Sequence, residues 1–496
     1  TAQVATLKTT QIHALTSTQV GALSTSQVGA FSSTQVGALT TDNVAGLSTT
    51  QAAALSAKSI TGLTTAQVGA LGSANVAALS TAQVGALNST QIGALSSDEI
   101  AGLSTADIAA INTAALGGLS TANVAVLSSD QAAALTTAQV ATLKTTQIHA
   151  LTSSQVGALS TSQVGTLSAA QVGALTTDNV AGLSTTQIGA LTSKSVTGLS
   201  TAQVGALSST QVEALSPALV GSLNSAQIGA LSSADIASFS TADIAAINTA
   251  ALAGLSTANV AALSSDQAAA LTTAQVATLK TTQVNALTST QVGALSTSQV
   301  GAFSSTQVGA LTTDNVAGLS TTQAAALSAK SITGLTTAQV GALGSANVAA
   351  LSTAQVGALN STQIGALSSA ELAGLSTADI AAINTAALGG LSEANVAALS
   401  SDQAAALTTA QVATLKTTQI HALTSTQVGA LSTSQVGTLN AAQVGALTTD
   451  NVAGLSTTQI GALSTKSVTG LSTAQVGALS STQVEALSPT LVGSLN

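Results

Sequence analysis

Residues 208–223 read SSTQVEALSPALVGSL, and residues 480–495 read SSTQVEALSPTLVGSL. These two phrases hold Pro217 and Pro489, the only prolines in 496 residues. In each, the proline follows a serine that stands where a helix cap belongs. Pro at the first helical position loses no useful N–H, and its fixed φ suits the helix. Inside a helix it would cost about 3 kcal/mol. The prolines therefore mark the start of a helix, and the surrounding pattern shows how many starts there are.

From Lys8 onward the chain divides into units of eight without a slip: KTTQIHAL, TSTQVGAL, STSQVGAF, SSTQVGAL, TTDNVAGL and so on to Asn496. The first position is Ser or Thr, with occasional Asn, Lys or Gly. The fourth is usually Gln, Asn, Asp or Glu, the fifth Val or Ile, and the eighth Leu. Ser or Thr followed three residues later by Gln or an acid is a capping box, in which each side chain satisfies a free backbone N–H of the other's residue. Each octad thus predicts a cap followed by a helix of about two turns.

One continuous helix is excluded. Eight residues at 100° each would rotate the apolar pair by about 80° per octad, so no stripe would form. Broken at every cap, the fifth and eighth positions make one apolar face. The small seventh residue, roughly opposite, lets a neighbouring backbone come close, as small residues do at tight helix contacts. The sixth, which accepts His13, Glu213 and Asn285, is expected to meet solvent often.

An octad cannot stand alone. Burying one Val and one Leu contributes about 3–6 kcal/mol, whereas ordering eight backbones costs on the order of 8–16 kcal/mol. Neighbours must cover it, which is the logic of a solenoid. The fold expected is all-α: a superhelical solenoid of very short capped helices, one per repeat. The alternative is a β-solenoid, since Thr-, Ser-, Gln- and Gly-rich octads resemble ice-nucleation repeats. Strands alternate apolar and polar residues, however, and here positions five, seven and eight are apolar and position three is not.

No composition shift marks a boundary, so residues 1–496 read as a single uninterrupted array. TAQVATLKTTQ recurs from Thr1, Thr137, Thr273 and Thr409, giving blocks 1–136, 137–272, 273–408 and a partial 409–496. The first residue falls inside a repeat and neither end turns polar, so continuation into further repeats or end-to-end assembly is expected.

Charge and composition narrow the chemistry. Charged residues are 5% of the chain, hydrophobic residues 45%, Cys, Met, Trp and Tyr are absent, and the net charge is −9. That is the opposite of a disordered composition. Nucleic acid needs a clustered basic face, and the eight lysines (Lys8, Lys58, Lys144, Lys194, Lys280, Lys330, Lys416 and Lys466) are scattered. They form a sparse ladder for solubility or for pairing with Asp and Glu. No apolar run approaches the roughly 18 residues of a membrane span, and no signal peptide is visible.

No catalytic, cofactor-binding or metal site is expected, and the chain is not expected to be an enzyme. His13, His149 and His421 lie far apart and Asn285 takes the same slot, which predicts solvent-facing histidines rather than ligands. Asp42, Asp98, Glu99 and Asp107 fall in first helical turns, where the helix dipole favours negative charge. No calcium loop, Ser-His-acid triad or GxGxxG loop is present. Asn88-Ser-Thr and Asn360-Ser-Thr match a glycosylation sequon. Phe31, Phe239 and Phe303 replace the eighth-position Leu and read as core.

The phrase LSTAQVGALSTSQVGAL resembles the low-complexity octad arrays of very large bacterial cell-surface, adhesin-like exoproteins. The resemblance spans the whole chain but is one of repeat style and implies no site residue. It implies a structural segment of an extracellular or cell-surface protein that forms a fibre, sheath or stalk, with copies of itself as the partner. Two other readings are an adhesin stalk that binds a cell-surface or matrix partner and, on a β-solenoid, ice binding. The LTxxQVxAL cadence also looks like one helix of plant-pathogen DNA-reading repeats, but their longer unit and basic loops are missing.

Overall fold

The computed structural model describes residues 2–495 and falls into two compact units, Thr1–Gly254 and Leu255–Asn496. The octad phase passes through that boundary without a break. Within each unit the architecture is the same. Among the described residues there are sixty α-helices of four to six residues, two 3-10 turns at Val196–Gly198 and Ile332–Gly334, and no strand. The fold is all-α, and the β-solenoid alternative is removed. The helices are shorter than expected, a little over one turn rather than two. Leu at position eight leaves the helix in extended geometry, as at Leu87 with φ −64° and ψ 140°, or follows one αR residue that closes it.

Each start is fastened as the capping box requires. Ser80 Oγ accepts from the Gln83 N–H at 3.4 Å, and the Ser80 N–H donates to Gln83 Oε1 at 2.7 Å. The geometry recurs with Thr at Thr136 and Asn at Asn224. Pro217 and Pro489 occupy the first helical position, as their context predicts. Gly72 and Gly344 stand at position one with φ of 78° and 74°, a backbone that only glycine adopts at little steric cost.

Helices stack at an interval of three octads. Ser129–Ala134 packs on Ser153–Ala158, and Ser401–Ala406 on Ser425–Ala430. Fourth-position side chains reach one octad further back, to residues 28–31 positions earlier. One superhelical turn therefore takes between three and four octads in each unit. The core is a continuous column of fifth and eighth positions: Val84, Ile92 and Ile100 are wholly buried, and Leu87, Leu95 and Leu103 nearly so. The stacking supplies the burial that no octad provides alone.

Because position two lies at N1, Thr201→Pro should be accepted there. Its φ is compatible, so stability should change by no more than about 0.4–1 kcal/mol, in the favourable direction. Gln203→Pro, two residues on, should unfold the surrounding octads. Urea unfolding followed by circular dichroism distinguishes the two.

Candidate functional site

The fourth position carries most of the polar chemistry of the array. Sequence reasoning assigned it only to its own cap, but the structure buries it. Gln83, Gln91 and Gln139 are each 1% exposed. The reason lies at the opposite end of the amide. While Gln139 Oε1 accepts from the Thr136 N–H at 2.7 Å, its Nε2 donates to the carbonyls of Ile108 at 2.9 Å and Ile111 at 2.7 Å. These belong to the helix four octads earlier. Gln35 does the same to Val4 and Leu7, and Gln355 to Ala324 and Leu327. A helix this short has almost all of its terminal groups unpaired. The cap and the Gln oxygen satisfy its N–H groups, and a Gln amide from the next turn satisfies its C=O groups.

Shorter side chains do part of this. Asn43, Asn75 and Asn179 donate to the eighth-position carbonyls of Leu15, Leu47 and Leu151 at 3.0–3.1 Å. Where the fourth residue is Ala115, Asn112 at position one takes over, donating to Gly85 O at 3.1 Å and Leu87 O at 3.0 Å. In the proline octads Leu219 and Leu491 fill the slot with buried apolar surface.

Acids at this position accept from their cap but have nothing to donate. Glu99, Asp107, Asp235, Glu371 and Asp379 are buried, rather than lying on an open first turn. Asp243 accepts from the Ser240 N–H at 2.9 Å, yet its Oδ1 is buried without any hydrogen-bond partner. Asp243→Asn should therefore stabilise the protein by about 1 kcal/mol, the net worth of one restored hydrogen bond, with the new amide on Leu215 O. Asp42, on an exposed position, serves as the control, and paired denaturation curves of Asp42→Asn and Asp243→Asn make the comparison.

The other singled-out residues are dispersed. The imidazole Nδ1 of His149 is 3.0 Å from Ala174 O, and those of His13 and His421 are 3.2 Å and 3.1 Å from Ala38 O and Ala446 O. Since a carbonyl only accepts, Nδ1 carries the proton. The Asn285 amide donates to Ala310 O in the same way at 3.1 Å. The histidines are exposed, as expected, but each also ties its helix to the one three octads later, a role that Asn can share. Lys144 and Lys416 place Nζ on the carbonyls of Gly117 and Gly389 at 2.7 Å and 2.6 Å, so these two members of the ladder contact backbone. Phe31, Phe239 and Phe303 are buried in the core. Asn88 and Asn360 are exposed N-caps.

Among the described residues no group of three or more His, Asp or Glu could hold a metal ion. The largest recess, about 520 Å³, is an open trough beside Ala5, Lys8 and Gln35. No described helix is long and apolar enough to cross a membrane.

Short capped helices, an unbroken octad phase and an amide clamp from turn to turn define an α-helical solenoid repeat protein. The chain belongs to the ALTTAQ repeat family, whose model matches it in overlapping stretches that together span residues 1–217 and 236–489. The interval between those stretches takes in most of the Pro217 octad. No curated protein and no solved structure matches the chain.

Proposed function

We propose that this array is a non-enzymatic structural element, a fibre, sheath or stalk segment of an extracellular bacterial surface protein, and that it associates with copies of itself. The observation that carries the reading is the clamp. The polar side chains at positions one and four are spent on the array's own backbone, with contacts such as Gln83 to Ala52 and Leu55 repeated at every turn. Such a molecule resists unravelling and offers little for chemistry. Low charge also supports the reading, because 5% charged residues oppose lateral packing weakly.

Sedimentation velocity and negative-stain electron microscopy of the purified chain test self-association. Assemblies that grow with concentration are expected, and monomers alone at micromolar concentration would overturn it. Immunogold labelling of intact cells that make the protein tests the location, with label expected on the outer surface.

A further inference from the structure

The clamp requires an octad four units earlier, and the first octads have none. Gln11, Gln19 and Gln27 bond their caps through Oε1, but their Nε2 groups meet no acceptor among the described residues. Gln11 and Gln19 are exposed, and Leu15 and Leu23 are half-buried where later leucines are buried. The last octads show the converse. Val484 and Val492, core positions everywhere else, are 46% and 48% exposed. The carbonyls of Leu471, Leu479 and Leu487 receive no side-chain amide.

One face lacks acceptors and the other lacks donors, and each lacks apolar cover. Their register also matches. Asn496 is at position one of an octad and Thr1 at position two, so a second copy placed after the first continues the phase. The clamp spans 31 and 28 residues. On that count Gln11 of a second copy falls on Val476 and Leu479, and Gln19 of a second copy on Val484 and Leu487. Lys8 of a second copy falls on Gly477 at the 27-residue interval by which Lys144 meets Gly117.

We infer that the face of Gln11, Gln19 and Gln27 docks on the face of Val476, Val484 and Val492 of a second copy, so that chains join head to tail through the same clamp that joins turns. The contact is heterologous and does not close on itself in a dimer, so it propagates. The inference rests on the self-association proposed above and gives it an interface.

Two variants test it. Gln11→Glu, Gln19→Glu and Gln27→Glu together keep every cap acceptor, as Glu99 does for Ser96, and remove the donors of one face. Val484→Asp with Val492→Asp charges the other face at exposed sites. Each variant alone should stay monomeric in sedimentation at concentrations at least 10-fold above those at which the unaltered chain assembles, with an unchanged helical circular dichroism spectrum. Mixed in equal amounts, the two should form a dimer that grows no further, because one intact face of each kind remains.

Assembly of both variants like the unaltered chain would overturn the docking while leaving lateral self-association standing. Failure of the mixture to dimerise, or dimers of one variant alone, would also overturn it. If the unaltered chain itself stays monomeric, both readings fall.

Discussion

Gly62→Ala should destabilise the octads around it by about 3 kcal/mol, whereas Gly102→Ala at the same octad position should be neutral or stabilising by about 0.5–1 kcal/mol. The two glycines differ in what a methyl group would meet. A Cβ on Gly62 would fall inside the van der Waals envelope of the Ser33 carbonyl, a backbone group that cannot swing away. On Gly102 its nearest neighbours would be at 3.4 Å or more. Overpacking typically costs 1–3 kcal/mol, and a rigid backbone obstacle puts Gly62 at or above the top of that range. With the clash removed, Ala is the better residue because it restricts the unfolded chain. Gly118, Gly198, Gly254, Gly334, Gly390 and Gly470 share the obstruction and should behave like Gly62.

Those seven glycines follow a pattern visible in the fourth position. Their octads are the ones that carry Ser59, Ala115, Ser195, Ala251, Ser331, Ala387 and Ser467 there. Without a Gln side chain between turns the octad settles closer to the backbone 29 residues earlier, and only glycine at position seven permits it. Amide hydrogen exchange is the appropriate readout. A long repeat array unfolds locally rather than in one two-state step, so loss of protection should centre on residues near 33 and 62.

How far this was legible depended on whether both partners of an interaction lie in one octad. Caps, first-turn prolines and the Val–Leu core do: Ser80 and Gln83 are three residues apart, and Val84 and Leu87 define a face by helical angle alone. Helix length was overestimated because the next cap, not propensity, ends each helix. The burial of Gln139 was not legible, because its carbonyl partners lie 28 and 31 residues back. That distance is set by the number of octads per turn, which no single octad encodes. One signal was present and went unused: His149 and Asn285 share a slot, and what they have in common is a side-chain N–H donor, which a purely solvent-facing position would not require. Likewise, the predominance of Gln over Glu at position four favours a residue that both accepts and donates, whereas a cap alone needs only an acceptor.

That preference yields a graded series at Gln139. Its amide accepts one hydrogen bond from Thr136 and donates to Ile108 and Ile111, with Ala109 O a longer contact at 3.3 Å. Gln139→Ala removes all of them, leaves the Thr136 N–H and the Ile111 carbonyl buried without partners, and opens a cavity. With about 0.5–1.5 kcal/mol for each bond and 1–3 kcal/mol for each stranded group, the loss should be about 4 kcal/mol. Gln139→Glu retains the cap acceptor, as Glu99 and Glu371 do, and should lose about 2 kcal/mol. Gln139→Asn keeps one donor for the eighth-position carbonyl, as Asn179 does for Leu151, and should lose about 1 kcal/mol. Hydrogen exchange should show protection falling in two places together, at the cap near Thr136 and at the helix end near Ile111, in the order Asn, Glu, Ala. Loss confined to the octad of Gln139 would mean that its bonds to the previous turn contribute nothing, and that the turns are held by apolar packing alone.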